Sequence, residues 1–271
     1  MLYLVATPIG NLADFSFRAV NVLNTCDYIL CEDTRHSRTL LQHYEIQIPL
    51  KSFHKFNQTQ KEELVIEDLK AGKTLALISD AGTPLISDPG YELVVRCRQE
   101  NLPVSAIPGA CALIQALTLS GFPSIPFQFI GFLPKKNQEL HSLLSEILRY
   151  PGTTVTYETP HRIEATLNLL HSLAPTRPLC LARELTKHYE ECVVGTPQEL
   201  LEKFQKHPPR GEMVLLISPN TESPLYEGLP LEELVEKLCQ EFHLTKQEAI
   251  KQAAKLRGLS KREVYNKFLH D

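Results

Sequence analysis

The chain has 271 residues, 43% of them hydrophobic and 22% charged, and 28 Lys and Arg against 32 Asp and Glu leave a net charge of −4. This is an ordinary globular mix with material for one large or two medium cores, which excludes a disordered chain. It also excludes a whole-chain basic field, so a polyanionic partner has to be met by a local patch. The 12 glycines come no closer together than Gly82 and Gly90. The standard Walker loop, dinucleotide fingerprint and nucleophile elbow all need tighter spacings and are excluded. The seven cysteines form no C-x-x-C pair and no two of the ten histidines lie four apart, so no zinc motif of usual spacing is present and no metal is expected.

Scattered thiols fit a reducing compartment. The opening Met-Leu-Tyr-Leu-Val-Ala is short for a signal peptide and has no basic residue before it, and no run reaches the ~20 apolar residues of a membrane span. The expectation is a soluble cytoplasmic protein without a membrane partner.

In chain order, short apolar runs at 2–6, 28–31, 74–78 and 104–107 read as buried strands, and the stretches 17–25, 61–71, 92–101 and 111–119 as helices, with Gly72 at a C-cap position. Such alternation predicts an α/β layer structure with a largely parallel sheet. The Pro- and Gly-bearing stretch 119–127 reads as a hinge. Strands at 153–157, 179–182 and 213–217 and helices at 138–149, 162–172 and 197–206 then make a second α/β part. After a polar linker at 218–224, helices at 231–242, 246–257 and 261–269 follow, with Thr245/Glu248 and Ser260/Glu263 as capping boxes and Gly258 closing the second helix. From Phe242 to His270 there are seven basic residues against two acidic ones, in short helices like those of a helix-turn-helix. The expected organisation is an N-terminal α/β domain over 1–121, a C-terminal α/β domain over 122–222 and a basic helical tail over 223–271.

Polar loops follow the expected strands directly, where ligands of open α/β sheets bind. They are Thr7-Pro8-Ile9-Gly10-Asn11, Glu32-Asp33-Thr34-Arg35, Ser79-Asp80-Ala81-Gly82-Thr83-Pro84 and Pro108-Gly109-Ala110. Small residues and turns of this kind let backbone groups hold a ligand, although turning the chain is their commoner use. Glu32-Asp33-x-Arg35, Tyr157-Glu158-Thr159-Pro160-His161-Arg162 and Arg183-Glu184-Leu185-Thr186-Lys187 each set carboxylates beside cations past a strand. Either structural ion pairs or acid/base groups with cations suited to a phosphodiester would explain them.

The ordered set Val5-Ala-Thr-Pro-Ile-Gly-Asn-Leu, Glu32-Asp-Thr-Arg, Ser79-Asp-Ala-Gly-Thr-Pro-Leu-Ile-Ser-Asp-Pro-Gly, Gly131-Phe-Leu-Pro, Tyr157-Glu-Thr-Pro-His-Arg, Arg183-Glu-Leu-Thr-Lys and Gly211-Glu-Met-Val resembles the ribosomal RNA methyltransferases of the tetrapyrrole-methylase-like family over essentially the whole chain. The resemblance implies two α/β domains with S-adenosylmethionine in the cleft between them, usually as a homodimer. It also implies 2′-O-methylation of a cytidine ribose in the decoding region of 16S rRNA, met as free RNA or within the small ribosomal subunit. By the same resemblance the cofactor lies against Thr7, Pro8 and Gly10, against Ala81, Gly82, Thr83 and Pro84, and against Pro108, Gly109, Ala110 and Ala112. Leu185, Gly211 and Met213 close over it.

Among carboxylates, Glu158 is the first choice for general base and Asp33 the second, because a basic residue follows each; Glu32 and Glu184 complete the set. Arg35, Arg162, Arg183 and Lys187 are assigned to RNA phosphates or to orienting these carboxylates. His54 and Asn57 belong with the RNA contacts, although His54-Lys-Phe-Asn57 carries Phe56 where relatives often have a second histidine. Methylation of a small tetrapyrrole-like molecule and a non-catalytic ribosome-assembly role are the competing readings.

Overall fold

The computed structural model describes residues 1–206, 208, 210–220, 229–242 and 244–267. Five short strands form the first sheet: β1 (Leu2–Val5), β2 (Tyr28–Cys31), β3 (Leu50–Ser52), β4 (Leu75–Ile78) and β5 (Val104–Ile107), all parallel, in the order β3-β2-β4-β1-β5. β2 and β4 are buried along their whole length, as both faces of a parallel sheet must be when helices cover them. Helices α1 (Phe17–Asn24) and α2 (Thr34–His43) cover one face, where Ala19, Leu23 and Leu41 join Val5, Ile29 and Ile78. Helices α3 (Gln58–Lys70) and α4 (Tyr91–Gln99) cover the other, where Val65, Ile66, Leu69 and Leu93 join Leu2, Leu30 and Leu77. The neighbours β1 and β4 therefore send the chain to opposite faces. A crevice opens between their carboxyl ends, the switch point at which such sheets bind ligands.

The second sheet runs β6 (Phe127–Phe132), β7 (Thr153–Glu158), β10 (Met213–Ile217), β8 (Leu179–Arg183), β9 (Glu191–Gly195), and only the β6–β7 pair is parallel. Helices α6 (Asn137–Ile147), α7 (Ile163–Leu173) and α8 (Pro197–Lys206) accompany it. The largely parallel arrangement expected from the sequence thus holds for the first sheet and not for the second, where the turn after Arg183 folds β9 back on β8 as a hairpin. Helix α5 (Ala112–Leu119) follows β5 but packs on the second sheet: Leu113, Ala116 and Leu117 share a core with Val155, Cys180, Ala182, Val214 and Leu216. Accordingly 1–147 and 152–218 form one compact unit.

Residues 148–151 and 219–271 form a second unit. Its helices α9 (Leu231–Phe242), α10 (Lys246–Leu256) and α11 (Lys261–Lys267) enclose Leu234, Val235, Leu238, Ala249, Ile250, Ala253 and Val264. Thr245 and Glu248 close the predicted capping box on α10, and Ser260 and Glu263 exchange the corresponding bonds at α11. Most of the predicted linker at 218–224 and the end of the last predicted helix, at 268–269, lie outside the described residues.

One backbone constraint ties the fold to the crevice. Gly90, which precedes α4, has φ +117°, and a Cβ there would stand 2.4 Å from Leu77 Cδ2 in β4. Gly90→Ala should therefore combine left-handed strain with a core clash and lower the unfolding free energy by about 1–3 kcal/mol, measured by urea denaturation.

Candidate active site

A cavity of about 350 Å³ lies at the crevice, within the range of ligand pockets, roughly 300–1,000 Å³. The first sheet contributes Ile9 from the loop after β1 and Ala81, Gly82, Thr83, Ile86, Ser87 and Asp88 from the loop after β4, with Cys111 and Ala112 at the start of α5. The second sheet contributes Phe132 and Tyr157 from β6 and β7, Ala182, Arg183, Glu184, Leu185 and Lys187 around the end of β8, and Glu212, Met213 and Val214 at the start of β10. Antiparallel pairing of Met213 with Arg183 brings the last two segments to one edge. Tyr157 packs against Phe129 and Phe132 at 4.9 and 5.4 Å between ring centres, and burial raises its phenol above the ordinary range.

The first-sheet loops are stitched to one another. Thr7 N–H donates to Gly82 O (2.9 Å) and Gly82 N–H to Thr7 O (3.0 Å). Thr7 Oγ1 donates to Ser79 O (3.1 Å) and Thr83 Oγ1 to Ala110 O (3.1 Å). Asp33 N–H reaches Asp80 Oδ1 at 3.3 Å. A Cβ on Gly10 would lie 2.6 Å from Lys187 Cγ and 3.0 Å from Thr186 Oγ1, so the loops after β1 and β8 meet where only glycine fits. Leu85, Ser87, Glu184 and Thr186 all carry positive φ (72°, 70°, 50° and 66°). Such strain in non-glycine residues clusters at functional sites, and four of the six cases among the described residues fall in the two loops that face each other across the cavity, Glu45 and Asn101 lying elsewhere.

Of the cofactor-loop residues expected from the sequence, Ala81, Gly82, Thr83, Ala112, Leu185 and Met213 line the cavity; Thr7, Pro8, Gly10, Pro84, Pro108, Gly109, Ala110 and Gly211 do not. Several of these eight brace the lining instead: Thr7 and Ala110 through the bonds above, and Gly211 by letting Glu184 Oε1 approach to 2.5 Å of where its Cβ would stand.

The catalytic expectations require correction. Glu158, first choice as base, is fully buried and absent from the lining. Its carboxylate accepts from Thr159 N–H and Thr166 Oγ1, both at 2.8 Å, with the Arg162 guanidinium 3.7 Å away. It fixes the turn from β7 into α7. Asp33 caps α2 by accepting from Arg35 N–H at 2.8 Å, and the Arg35 guanidinium holds its carboxyl below the ordinary range, which makes it a weaker proton acceptor. Glu32 is exposed and outside the lining. Glu184 lines the cavity but is paired with Lys187 at 3.0 Å.

All four assigned RNA cations have protein partners, Lys187 with Glu184 at 3.0 Å and Arg35 with Asp33 at 3.2 Å. Arg162 donates to Leu133 O and Pro134 O, pinning the Gly131-Phe-Leu-Pro loop, and Arg183 binds Glu191 at 2.6 Å on the hairpin. Asn57 accepts from His54 N–H and donates to Ser52 Oγ, a local turn, while Nδ1 of His54 is buried without a hydrogen-bond partner among the described residues. Arg35 has 90% of its side chain exposed.

Sequence reasoning missed Asp88. It lines the cavity half-buried, and its carboxyl is pushed up to about 7, first by desolvation and then by repulsion from Glu32, Asp80 and Glu212. The available signal was the Ser-Asp-Pro-Gly that ends the glycine-rich loop. Among the described residues no three or more His, Cys, Asp or Glu side chains group to hold a metal ion, and no helix is long and apolar enough to cross a membrane.

Two α/β sheets joined by a shared core, with a crevice at the switch point of the first, define a methylase fold, and comparison with known proteins agrees. Residues 1–201 match the family described as Tetrapyrrole (Corrin/Porphyrin) Methylases. Relatives named Ribosomal RNA small subunit methyltransferase I occur in Halalkalibacterium halodurans (43% identical; 98% of this chain, 93% of the relative), Synechocystis (43%; 98% and 96%) and Bacillus subtilis (40%; 99% and 94%). The chain therefore belongs to the tetrapyrrole methylase family and, within it, to the ribosomal RNA small subunit methyltransferase I group. Among solved structures, cobalt precorrin-4 methyltransferase superposes with a TM-score of 0.58 at 13% identity, covering 80% of this chain and 94% of that one. Uroporphyrin-III C-methyltransferase from Thermus thermophilus complexed with S-adenosylhomocysteine gives 0.56 at 19%, covering 80% and 96%. These share the fold.

Two outcomes test the placement of the carboxylates. Glu158→Gln turns an amide toward one of two inward-pointing donors and should cost about 1–3 kcal/mol in urea unfolding. Asp88, whose folded carboxyl holds its proton more tightly than the unfolded one, subtracts stability as pH rises from about 4 to about 7. Asp88→Asn should therefore raise the thermal midpoint at pH 8 and leave it nearly unchanged at pH 3.5.

Proposed function

We propose that this chain transfers a methyl group from S-adenosylmethionine to the 2′-hydroxyl of a cytidine ribose in the decoding region of 16S rRNA, acting in the cytoplasm as a homodimer. The observation that carries the reading is a cavity walled by strand-end loops of both sheets in a chain of this family. The residues present suit the cofactor. Ile9, Ile86, Leu185 and Met213 offer apolar surface, the strand-end backbone at 182–185 and 212–214 offers polar groups, and Asp88, Glu184 and Glu212 favour a cation. The buried Thr186 Oγ1, which has no hydrogen-bond partner among the described residues, stands at the loop junction beside Gly10. When bound, S-adenosylmethionine supplies an electrophilic methyl on a sulfonium.

The chain's own part is to hold the ribose oxygen in line and to exclude water. Positioning of this kind supplies up to about 7–11 kcal/mol of the barrier. The stitched, strained loops keep the cavity in shape without the ligand, so the ordering is done before substrate arrives. Arg35, at the carboxyl end of β2, is an exposed cation for the RNA backbone. The exposed Lys251, Lys255 and Arg262 of the helical unit provide the salt-dependent part of binding.

The direct test is incubation with methyl-labelled S-adenosylmethionine and, separately, 16S rRNA lacking the modification, assembled small subunits and a tetrapyrrole precursor. Label is expected as ribose 2′-O-methylcytidine; label in the small molecule alone would overturn the assignment. In the same assay, Lys251→Glu, Lys255→Glu and Arg262→Glu combined should weaken RNA binding and lower the slope of log affinity against log salt by about 2–3, roughly one for each phosphate no longer neutralised. Affinity for S-adenosylhomocysteine should stay unchanged.

A further inference from the structure

Three carboxylates line the cavity, and the structure leaves one of them available for chemistry. Glu184 is tied to Lys187, and Glu212 stands exposed to solvent. Asp88 is half-buried, makes no hydrogen bond or ion pair among the described residues, and sits on a loop that positive φ at Leu85 and Ser87 and the left-handed Gly90 hold in one shape. We propose that Asp88 is the general base of the methyl transfer, taking the proton of the nucleophilic ribose hydroxyl at its carboxylate. The proposal rests on the reading above that the reaction is O-methylation in this cavity.

The chemistry balances without another reagent. Asp88 gains the hydroxyl proton, the oxygen lone pair forms the new O–C bond, and the electron pair of the broken C–S bond stays on sulfur. The sulfonium charge disappears as the carboxylate charge is neutralised, so the cavity keeps its net charge through the step. Surroundings that disfavour an ionised carboxylate then favour proton uptake in the transition state. The charged and titratable groups around Asp88 are Glu32 after β2, Asp80 after β4, Tyr157 on β7 and Glu212 before β10, with Cys111 at the start of α5 and Arg183, Glu184 and Lys187 elsewhere on the lining. Asp80 is anchored by Asp33 N–H, Glu184 by Lys187, and Arg183 by Glu191.

The test compares wild type, Asp88→Asn and Asp88→Glu, full length, with S-adenosylmethionine and the RNA substrate across pH 5.5–9. Wild-type kcat/KM should rise with pH to a plateau. Asp88→Asn should lower methyl transfer by about 10²–10⁴-fold with a flat profile, at S-adenosylhomocysteine affinity within a few-fold of wild type. Asp88→Glu should regain part of the rate together with the pH dependence. Transfer within threefold of wild type in Asp88→Asn would overturn the proposal while leaving the functional reading intact.

A second readout needs no turnover: the preference for S-adenosylmethionine over S-adenosylhomocysteine, measured by calorimetry. In wild type it should increase with pH as Asp88 ionises opposite the sulfonium, and in Asp88→Asn it should be pH-independent. Should wild type label no RNA, the functional reading fails, and this readout alone decides whether Asp88 faces the methyl donor. A preference in Asp88→Asn that still follows pH as in wild type would show that it does not.

Discussion

The packing of α5 on the second sheet is the contact on which the site depends. The helix leaves β5 of the first sheet, yet Leu113, Ala116 and Leu117 are buried with Val155, Ala182 and Val214 of the second. Each fully buried leucine is worth about 1.5–3 kcal/mol, so the two sheets are joined by a core and not by a loose hinge. Only then do loops from both sheets face one cavity, with Cys111 and Ala112 at the start of that same helix forming part of its wall.

Inside that frame, polar groups sort by whether they have partners. Glu158, Arg162 and Arg183 sit at strand ends, as site residues do, but each is spent on the scaffold: Glu158 on the entry to α7, Arg162 on the loop after β6, Arg183 on the β8–β9 hairpin. A buried charge without such partners would be costly. Asp88 is the exception. It is desolvated, repelled by its neighbours and unbonded among the described residues, and its carboxyl rises to about 7 as a result. A group held in that state by a strained loop is poised for proton transfer near neutral pH.

Much of the fold was legible in local patterns. The strands at 28–31, 104–107 and 213–217 and the helices at 197–206 and 231–242 coincide with observed elements, although 104–107, expected to be buried, is an edge strand buried only at Ile107, and the capping box at Thr245 forms as written. Helix α2 escaped notice because its residues Thr34–His43 are largely polar and only Ser37 and Leu41 are buried. The three-residue β3 and the edge strand β9 are too short and too exposed to give a period-two signal. The strand β6 also went unread, its start falling in the stretch taken for a hinge, so two of the second sheet's four pairings, β6–β7 and β8–β9, were invisible.

The sequence by itself determined the α/β class, the capped basic helices at the C-terminal end, and the loops from which a ligand site had to be drawn. Each of these rests on neighbours within a few residues, on hydrophobic period, cap chemistry and turn residues. Tertiary structure alone decided which carboxylate faces the cavity. Glu158 and Asp88 both follow or end strand-edge motifs, and what separates them is the company each keeps in space: Thr166 from the next helix satisfies the first, while Glu32 and Glu212 from two other loops and Asp80 from its own loop crowd the second. Solvation and hydrogen bonding are set by residues distant in the chain, so that choice is made only when the chain folds.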